Sequence, residues 1–578
     1  MYHYISTAVA ILAASRVVIA SPVELSSATT TPTCRYLPGD AEWPDVHAWN
    51  RLNITAGYRL IRGTPLAQVC HGTDLTADAV AACTKLQGEW TLLDPFLNDP
   101  VNVMSPYWMN RSCSPFDGPS GSCTLGNLAA YAINVSGADD VIAGVKFASK
   151  YNIRLIMKNT GHDFLGRSSG EGALALWTHN MKETSLINYQ SSSYTGPAMR
   201  IGAGVTNIEM YTAASALGYR AVGGSCPTVG AAGGYAQAGG HGPLGSKYGL
   251  GSDQILEYEV VNAAGKLITA SPTQNSDLYW ALAGGGPGNL AVIVSITAKV
   301  YKDGPIAGAG FAFTNTGDNY WAAISAWLKH LLVLDKIPGF SSLWAFTALG
   351  FQLQFATLPD SQAADITTAL QPFFDEAKAL NVTIMNNVAN VHANFLEHYN
   401  AWSTQAYDTN NSIGGRLISR SVVQNNLPAL MDAFANIVVN STNVGGSLIS
   451  GISGNVTHAR VGNTAASNSV LPAWRDSLFT MTIGIPLTQD AAWPEMNRGQ
   501  VQLNAWQDQL RAVTPGGGTY MNEATYDNPN WKTDYYGTNY NQLLSIKNKY
   551  DPDYVFWGNV AVGSDLWRVN ADGRLCRA

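Results

Sequence analysis

The sequence has 578 residues, of which 46% are hydrophobic and only 13% charged, roughly half of the ~25% charged residues usual in globular domains. A chain of this length can bury a large core and is expected to form two or more domains. The net charge of -7 without a cluster of lysines and arginines argues against nucleic acid as a partner, and the lack of a long uncharged apolar run in the body of the chain argues against a membrane-spanning segment there.

The first twenty residues are typical of a secretory signal peptide, so we expect a secreted, extracellular protein. Ile5–Ala14 forms a short apolar run, and Ala20 is a small residue placed before a Ser-Pro pair. No lysine or arginine precedes the run and Arg16 interrupts it. A membrane anchor is therefore the competing interpretation, although the run is short for spanning a bilayer.

Seven Asn-x-Ser/Thr sequons support the same route. One could arise by chance, but seven behind a signal peptide predict a surface glycoprotein. The expected N-glycan positions are Asn53, Asn110, Asn134, Asn381, Asn410, Asn440 and Asn455.

Seven cysteines suit an oxidising compartment, where six can pair and one is left over. Spacing, together with the tendency of chain ends to lie close in space, suggests the pairs Cys70–Cys83, Cys113–Cys123 and Cys34–Cys576. Spacing alone leaves the connectivity open. The leftover cysteine, Cys226, lies in a glycine-rich segment and needs another explanation.

Residues 138–163 show a helix, a buried strand and a polar loop in succession. Ile142, Val145 and Ala148 recur at helical spacing. Ile153–Met157 follows as an apolar strand and leads into the polar loop 159–163. Such a loop at the end of a buried strand is a common ligand-binding position.

Residues 200–300 are rich in glycine, which lets a backbone approach phosphates closely and offers bare N–H donors. The glycines favour a nucleotide ligand, yet the chain has no Walker A motif and no strand–GxGxxG–helix fingerprint. H-E-x-x-H and paired C-x-x-C motifs are also absent, so we expect no metal site.

The composition changes after about residue 303, where glycine clusters give way to helices and alternating strands. Apolar residues alternate with Gln352 and Gln354 over 351–355, which predicts a strand in a sheet with one polar face. Residues 366–380 carry apolar side chains at helical spacing.

Several motifs follow one another along the chain. They are NTGHDFLG (159–166), GSCPTVG (224–230), GGHG (239–242), YGLGSD (248–253), DLYWAL (277–282), YMNE (520–523), YGTNY (536–540) and KYDP (549–552). In this order they resemble the vanillyl-alcohol-oxidase-type flavoproteins, specifically the berberine-bridge-enzyme-like branch, over roughly 130–300 and 515–570.

The resemblance implies an α+β fold: a two-part FAD-binding domain with an inserted substrate domain whose antiparallel sheet covers the flavin. The implied segments are a signal peptide (1–20), an N-terminal cysteine-containing region (21–130), an FAD-binding domain (131–302), a substrate domain (303–514) and a C-terminal segment that returns to the FAD domain (515–578). The composition breaks near residues 303 and 515 agree with this division independently.

The resemblance also implies that FAD is the cofactor and is held covalently at two points. In this branch the histidine of the first loop, here His162, bonds the 8α-methyl carbon of the flavin. The cysteine of the second loop, here Cys226, bonds ring carbon 6; without the resemblance a buried free thiol is the simplest interpretation of Cys226. Further cofactor contacts are implied at Thr160, Gly161, Asp163, Gly166, Gly224, Ser225, Thr228, Val229, Gly230, Gly234, Gly240, His241, Gly242, Gly251, Asp253, Val260, Asn522 and Asn539.

The implied activity is that of an oxidase, with hydride passing from a small organic substrate to the flavin and the electrons then passing to O2 to give H2O2. Val229 lies where valine is typical of oxidases in this family, with simple packing as its alternative explanation. The substrate classes considered are a carbohydrate, an alcohol or phenol, and a natural-product intermediate. The alternatives are a dehydrogenase with another electron acceptor, and a flavin-bearing glycoprotein without turnover.

Glu523 and Tyr520 are the expected catalytic residues. Many members carry Tyr-x-Asn-Tyr where this chain has Tyr-Met-Asn-Glu, so Glu523 replaces the tyrosine that acts near the substrate. A carboxylate in an apolar cavity can act as a general base. The alternatives are a structural ion pair for Glu523 and a catalytic base elsewhere in the chain.

Overall fold

The computed structural model describes residues 33–403 and 409–578, so the expected signal peptide lies outside the described residues. The helices are α1 Val46–Thr55, α2 Ala77–Glu89, α3 Asp94–Leu97, α4 Pro106–Met109, α5 Ala138–Lys150, α6 Asn207–Ala216, α7 Gly245–Tyr248, α8 Ser276–Leu282, α9 Asp318–Leu334, α10 Ala363–Ala379, α11 Phe395–Trp402, α12 Arg420–Asn425, α13 Leu427–Val439, α14 His458–Val461, α15 Ala473–Asp476, α16 Trp493–Val513 and α17 Tyr540–Tyr550.

The strands lie in four sheets. They are β1 Leu60–Arg62, β2 Tyr131–Asn134, β3 Leu155–Lys158, β4 Leu174–Trp177, β5 Thr184–Gln190, β6 Thr195–Gly202, β7 Tyr219–Ala221, β8 Ile255–Val261, β9 Leu267–Ala270, β10 Val292–Lys302, β11 Ile306–Thr314, β12 Ser341–Phe346, β13 Gly350–Pro359, β14 Met385–His392, β15 Asn411–Ser419, β16 Leu448–Gly454, β17 Ser477–Pro486, β18 Trp567–Val569 and β19 Leu575–Arg577.

A small mixed sheet in the order β1-β2-β4-β3 and a larger antiparallel sheet in the order β5-β6-β10-β8-β9 form the N-terminal half of the fold. In the small sheet β2 and β3 both run parallel to β4. The crossover connection that parallel strands require is supplied here by α5, which lies between β2 and β3 in the chain.

Helix α5 confirms the predicted helix, with one change to its buried face. Val141, Val145 and Ala148 are buried against the core, whereas Ile142 is only partly buried. The predicted strand after it is also present, but it begins two residues later, at Leu155, and extends to Lys158.

A seven-stranded sheet in the order β14-β11-β13-β12-β16-β17-β15 occupies the segment after residue 303. All its strand pairs are antiparallel. Phe351, Leu353 and Phe355 of β13 are buried, and Gln352 is exposed, as the alternation predicts. The buried face of this sheet packs on helices that include α10, whose apolar positions are also the predicted ones.

Two large cores follow from these sheets. One gathers the two N-terminal sheets and takes in residues of the C-terminal segment, including Tyr520, Leu543 and Phe556. The other lies between the seven-stranded sheet and its helices and contains fully buried Trp327 and Trp344. Truncating either tryptophan to alanine is expected to cost about 3–5 kcal/mol. The α+β fold is confirmed; the domain boundaries stay predictions.

The C-terminal segment is fastened to the N-terminal half by a disulfide and by a buried cation. Cys34 is bonded to Cys576, and the two local disulfides suggested by spacing are also present. Lys547 of α17 is fully buried and donates hydrogen bonds to the carbonyl oxygen of Asn289 and to the carboxylate of Asp551. Among the described cysteines, Cys226 alone is free, as predicted.

No helix within residues 33–403 and 409–578 is long and apolar enough to cross a membrane. The sequons differ in accessibility. Asn110, Asn381 and Asn440 are exposed. Asn410 and Asn455 are only 4% and 8% exposed, and each side-chain amide donates hydrogen bonds within the fold. Burial disfavours a glycan at either of these two positions, and the seven sequons stay predictions.

Candidate functional site

A cavity of about 670 Å³ lies between the glycine-rich loops and the seven-stranded sheet. One wall consists of the loop after β3 and the loop after β7, together with the segment 233–241. The opposite wall consists of the polar face of β12, β13, β15, β16 and β17. The C-terminal residues Tyr520, Asn522 and Glu523 complete it.

The loop after β3 is closed on itself by Asp163. One carboxylate oxygen accepts a hydrogen bond from the N–H of Leu165 and the other from the N–H of Ser168. Gly161 has a φ of 88°, in the left-handed region, and a side chain there would meet Lys158 at 3.3 Å. Glycine is therefore required for the turn that directs His162 towards the cavity.

Three side chains from the two loops meet at the cavity wall, and we call His162, Cys226 and Thr228 the His162 cluster. The Nε2 atom of His162 lies 2.7 Å from Oγ1 of Thr228. The Sγ atom of Cys226 lies 3.5 Å from the same hydroxyl and 3.9 Å from Nε2. His162 and Cys226 line the cavity, and Thr228 lies behind them.

Burial controls the protonation of this cluster. It lowers the pKa of His162 to about 4, with a further contribution from the positive charge of Lys158. The imidazole is therefore neutral at physiological pH. Burial also raises the pKa of the Cys226 thiol, although hydrogen bonds from Thr228 and the backbone oppose this shift.

The loop that carries Cys226 is held by its backbone. Asn207, the first residue of α6, donates a side-chain hydrogen bond to the carbonyl oxygen of Cys226 and a backbone one to Val229. The hydroxyls of Tyr211 and Tyr399 donate to the carbonyl oxygens of Gly224 and Ser225. The position of the cluster therefore does not depend on its own side-chain contacts.

A second group of side chains in the cavity, Glu523, His241, Tyr520 and Asn522, is called the Glu523 cluster. Nε2 of His241 lies 2.8 Å from Oε1 of Glu523. Asn522 donates to the Tyr520 hydroxyl at 2.9 Å, so the phenolic O–H stays available as a donor. Burial and the nearby charge of Glu523 raise the pKa of Tyr520 well above its ordinary value.

The opposite wall is made by cross-strand neighbours of the seven-stranded sheet. Leu343 faces Ile452, which in turn faces Thr480, and Ser450 faces Thr482. All five line the cavity. Their side chains are neutral and partly apolar, so this wall favours a neutral organic ligand.

Most of the predicted site residues are brought together in this cavity. Those that line it are Thr160, Gly161, His162, Asp163, Gly224, Ser225, Cys226, Val229, Gly230, Gly234, His241, Tyr520, Asn522 and Glu523. Those that do not are Gly166, Thr228, Gly240, Gly242, Gly251, Asp253, Val260 and Asn539.

The second group lies outside the lining of this cavity and supports it through packing and hydrogen bonds; its direct cofactor contacts stay predictions. Asp253 is buried and paired with Arg475 at 2.8 Å. Val260 is a fully buried strand residue, and Asn539 donates to the carbonyl oxygens of Ser469 and Val470. The glycines permit close packing: a side chain at Gly240 or Gly251 would collide with Tyr235, one at Gly166 with Trp108, and one at Gly242 with the backbone of Gly223.

Several lining residues were not predicted as site residues. They include Asn159, Asn207, Tyr235, Gln237, Asn411, Ile413, Ser450, Thr480 and Thr482. Asn159 belongs to a motif used for the prediction, and strand alternation could have indicated the hydroxyl residues of β16 and β17. Nothing local in the sequence indicates which face of those strands would meet the cavity.

The cavity suits a large polar cofactor such as FAD. Glycines contribute several lining positions, which brings bare backbone against the space. Six lining residues also carry a buried polar atom without a hydrogen-bond partner among the described residues: Asn159, Asn207, Tyr235, Gln237, His241 and Glu523. Buried polar atoms are normally satisfied, so this set fits a ligand rich in donors and acceptors.

Comparison with known proteins supports this assignment. Residues 129–271 match the family model of an FAD binding domain, and residues 519–563 match the model described as berberine and berberine like. The chain is 41% identical over 560 residues to the bifunctional decalin synthase calF of Penicillium decumbens, which covers 94% of this chain and 96% of that protein.

Two solved structures place the fold. The VAO-type flavoprotein MtVAO615 from Myceliophthora thermophila C1 is similar with a TM-score of 0.89 and 39% identity, over 94% of this chain and 100% of that one. A glucooligosaccharide oxidase from Acremonium strictum shares the fold alone, with a TM-score of 0.63 and 21% identity over 75% and 92% of the chains. The chain therefore belongs to the VAO-type, berberine-bridge-enzyme-like family of FAD-linked oxidoreductases.

Proposed function

We propose that this FAD-linked oxidoreductase is a secreted oxidase that holds FAD covalently through His162 and Cys226 and uses O2 as electron acceptor, releasing H2O2. One observation carries the proposal: a histidine and a cysteine 3.9 Å apart line the same cavity as a carboxylate and a phenol. The cavity thus offers two attachment points and the groups needed for proton transfer.

Attachment requires an uncharged imidazole with a free lone pair. The lowered pKa of His162, about 4, keeps the ring neutral, and the contact with Thr228 occupies Nε2 and leaves Nδ1 for the bond to the flavin. The glucooligosaccharide oxidase of similar fold is described as carrying a 6-S-cysteinyl, 8α-N1-histidyl FAD. The same two residue types at one wall of this cavity support the same double linkage here.

Proton transfer is assigned to the Glu523 cluster. When bound, FAD supplies a two-electron acceptor for a hydrogen of a substrate carbon. Glu523 takes the proton from the substrate hydroxyl, while its Oε1 is held by His241. Tyr520, kept protonated by its raised pKa, donates a hydrogen bond to the same substrate oxygen.

The substrate proposed is a neutral, partly apolar alcohol or phenol made as a natural-product intermediate. The wall formed by Leu343, Ile413, Ser450, Ile452 and Thr482 carries no charge. The relative named decalin synthase supports this class over a carbohydrate. A panel of such alcohols, with oligosaccharides as the alternative class, identifies the substrate by loss of flavin absorbance under anaerobic conditions.

Val229 lines the cavity and supports O2 as the acceptor. Parallel measurement of H2O2 and of dye reduction tests this directly. We expect one H2O2 for each substrate oxidised; fast dye reduction without oxygen consumption would instead identify a dehydrogenase. A flavin that never bleaches across the panel would indicate a flavoprotein without turnover.

Secretion is supported by the three disulfides. We propose N-glycans at the exposed residues Asn110, Asn381 and Asn440 and at the half-buried Asn53 and Asn134. Mass spectrometry of the protein from the culture medium, before and after enzymatic deglycosylation, tests these five positions.

A further inference from the structure

We propose that Thr228 is the positioning residue for flavin attachment: its single hydroxyl, shared by His162 and Cys226, fixes which nitrogen of His162 attacks the flavin. This inference rests on the proposed covalent linkage. Thr228 does not line the cavity and so acts through its two neighbours.

Thr228 has one hydrogen to donate, and its Oγ1 lies 2.7 Å from Nε2 of His162 and 3.5 Å from Sγ of Cys226. If the hydroxyl donates to the sulfur, it must accept from Nε2–H. The proton of the neutral imidazole then sits on Nε2, and Nδ1 keeps its lone pair.

The opposite order of donors and acceptors along the hydrogen bonds between Cys226, Thr228 and His162 blocks attachment. If the Cys226 thiol donates to Thr228 and the hydroxyl donates to Nε2, the imidazole proton sits on Nδ1 and no nucleophilic nitrogen faces the flavin. Cys226 reacts as a thiolate, which accepts a hydrogen bond and cannot donate one. Acceptance of the Thr228 hydrogen by the sulfur, whether as a thiol with its S–H turned away or as a thiolate, therefore sets the tautomer in which His162 is reactive.

The bond changes balance for each tether. One hydrogen leaves the residue, from Nε2 of His162 or from Sγ of Cys226, and one leaves the flavin carbon that is bonded. The two electrons released reduce the flavin ring and then O2, which the proposed oxidase already uses, and each new bond yields one H2O2. Thr228 accepts the hydrogen bond of Nε2–H but does not keep its proton, which ends on H2O2 together with the proton from the flavin carbon.

The surrounding backbone allows a clean test. The carbonyl oxygens of Ser225, Cys226, Pro227 and Val229 all accept hydrogen bonds from α6 or α11, independent of the Thr228 side chain. Thr228→Val keeps the shape of the residue and removes only the hydroxyl. Thr228→Ser keeps the hydroxyl.

The experiment uses the full chain, produced as apoprotein and mixed with FAD in the presence of O2. Peptides carrying flavin at His162 and at Cys226 are quantified separately by mass spectrometry over time. We expect Thr228→Val to slow the histidyl attachment by about tenfold, the equivalent of one lost neutral hydrogen bond, and Thr228→Ser to stay within about twofold of wild type. Ser403→Ala, which removes a hydroxyl bonded to Ser225 in the same loop, is the matched control and should attach flavin normally.

A second pair of variants keeps the test valid if Thr228→Val fails to fold. Cys226→Ala removes the acceptor of the Thr228 hydrogen and should slow histidyl attachment, whereas Cys226→Ser restores an acceptor and should recover most of the rate. If flavin attaches to His162 at the wild-type rate in both Thr228→Val and Cys226→Ala, the role proposed for Thr228 is wrong, and the covalent linkage itself is not affected by that result. A wild-type protein that releases all its FAD on denaturation would overturn the covalent linkage and this role together.

Discussion

The His162 cluster is positioned by two loops whose backbones are fixed by neighbouring elements, whereas the Glu523 cluster depends on side-chain contacts between distant segments. Asn207, Tyr211 and Tyr399 bind the carbonyl oxygens around Cys226. Glu523 instead meets His241, 282 residues away in the chain, through one hydrogen bond.

This difference indicates which sequence changes each cluster can tolerate. A site built on backbone geometry requires particular glycines and a fixed loop, so it leaves a recognisable motif in the sequence. A site built on side-chain pairs can exchange one pair for another of similar reach. The replacement of the family tyrosine by Glu523 is therefore compatible with an unchanged attachment site.

The largest effect expected is on flavin retention. The double variant His162→Ala/Cys226→Ala should release all FAD when the protein is precipitated with acid, because no residue remains to hold the ring. Each single variant should retain flavin through the other tether and so serves as the control. Flavin absorbance in the pellet and the supernatant measures this, and a yellow pellet from the double variant would show that another residue is bonded.

Glu523→Gln should separate the two clusters. Loss of the proton acceptor is expected to lower the rate of flavin reduction by substrate about 10²–10⁴-fold, while covalent FAD stays at the wild-type level. Stopped-flow absorbance gives the rate, and Glu42→Gln, which changes an exposed carboxylate outside the cavity lining, is the matched control. An unchanged rate of flavin reduction would mean that Glu523 has the structural role, and Tyr520 would be the next residue to substitute.

The sequence predicted the backbone-built parts well because their signals are local. The buried face of α10, the alternation in β13 and the two short disulfides each follow from spacing within one segment. His162 and Cys226, which the resemblance named as the two tethers, both line one cavity, and their bonds to the flavin stay predictions.

The remaining features depend on contacts between distant segments. The sequence suggested that His241 touches the cofactor, but not that it pairs with Glu523. It also gave Asn455 the pattern of a glycan site, although in the fold its amide donates to Asp335. In both cases the partner is set by how separate segments pack, which no local pattern encodes.

Asp253 belongs to the motif YGLGSD but does not line the cavity, so its substitution tests whether a motif residue outside the lining is structural. Asp253→Ala leaves Arg475 buried without its partner, so the free energy of unfolding should fall by about 3–5 kcal/mol, while folded protein still attaches FAD at both tethers. Asp277→Ala breaks the exposed pair with Lys549 and should cost at most about 1 kcal/mol. Urea unfolding followed by tryptophan fluorescence compares the two; equal losses would contradict the assignment of Asp253 as a structural residue.

The pH dependence of attachment should differ between the two tethers, which sharpens the comparison within the His162 cluster itself. His162 reacts when neutral, so its attachment rate should stay constant from alkaline pH down to pH 5 and halve at about pH 4, rather than near the ordinary histidine pKa of 6.5. Cys226 reacts as a thiolate with a raised pKa, so its rate should climb as pH rises and show no plateau at neutral pH. Apoprotein shown to be folded at each pH by circular dichroism, mixed with FAD and analysed by peptide mass spectrometry, gives both profiles. A histidyl rate that halves near pH 6.5 would mean that neither burial nor the charge of Lys158 acts on the imidazole as the structure indicates.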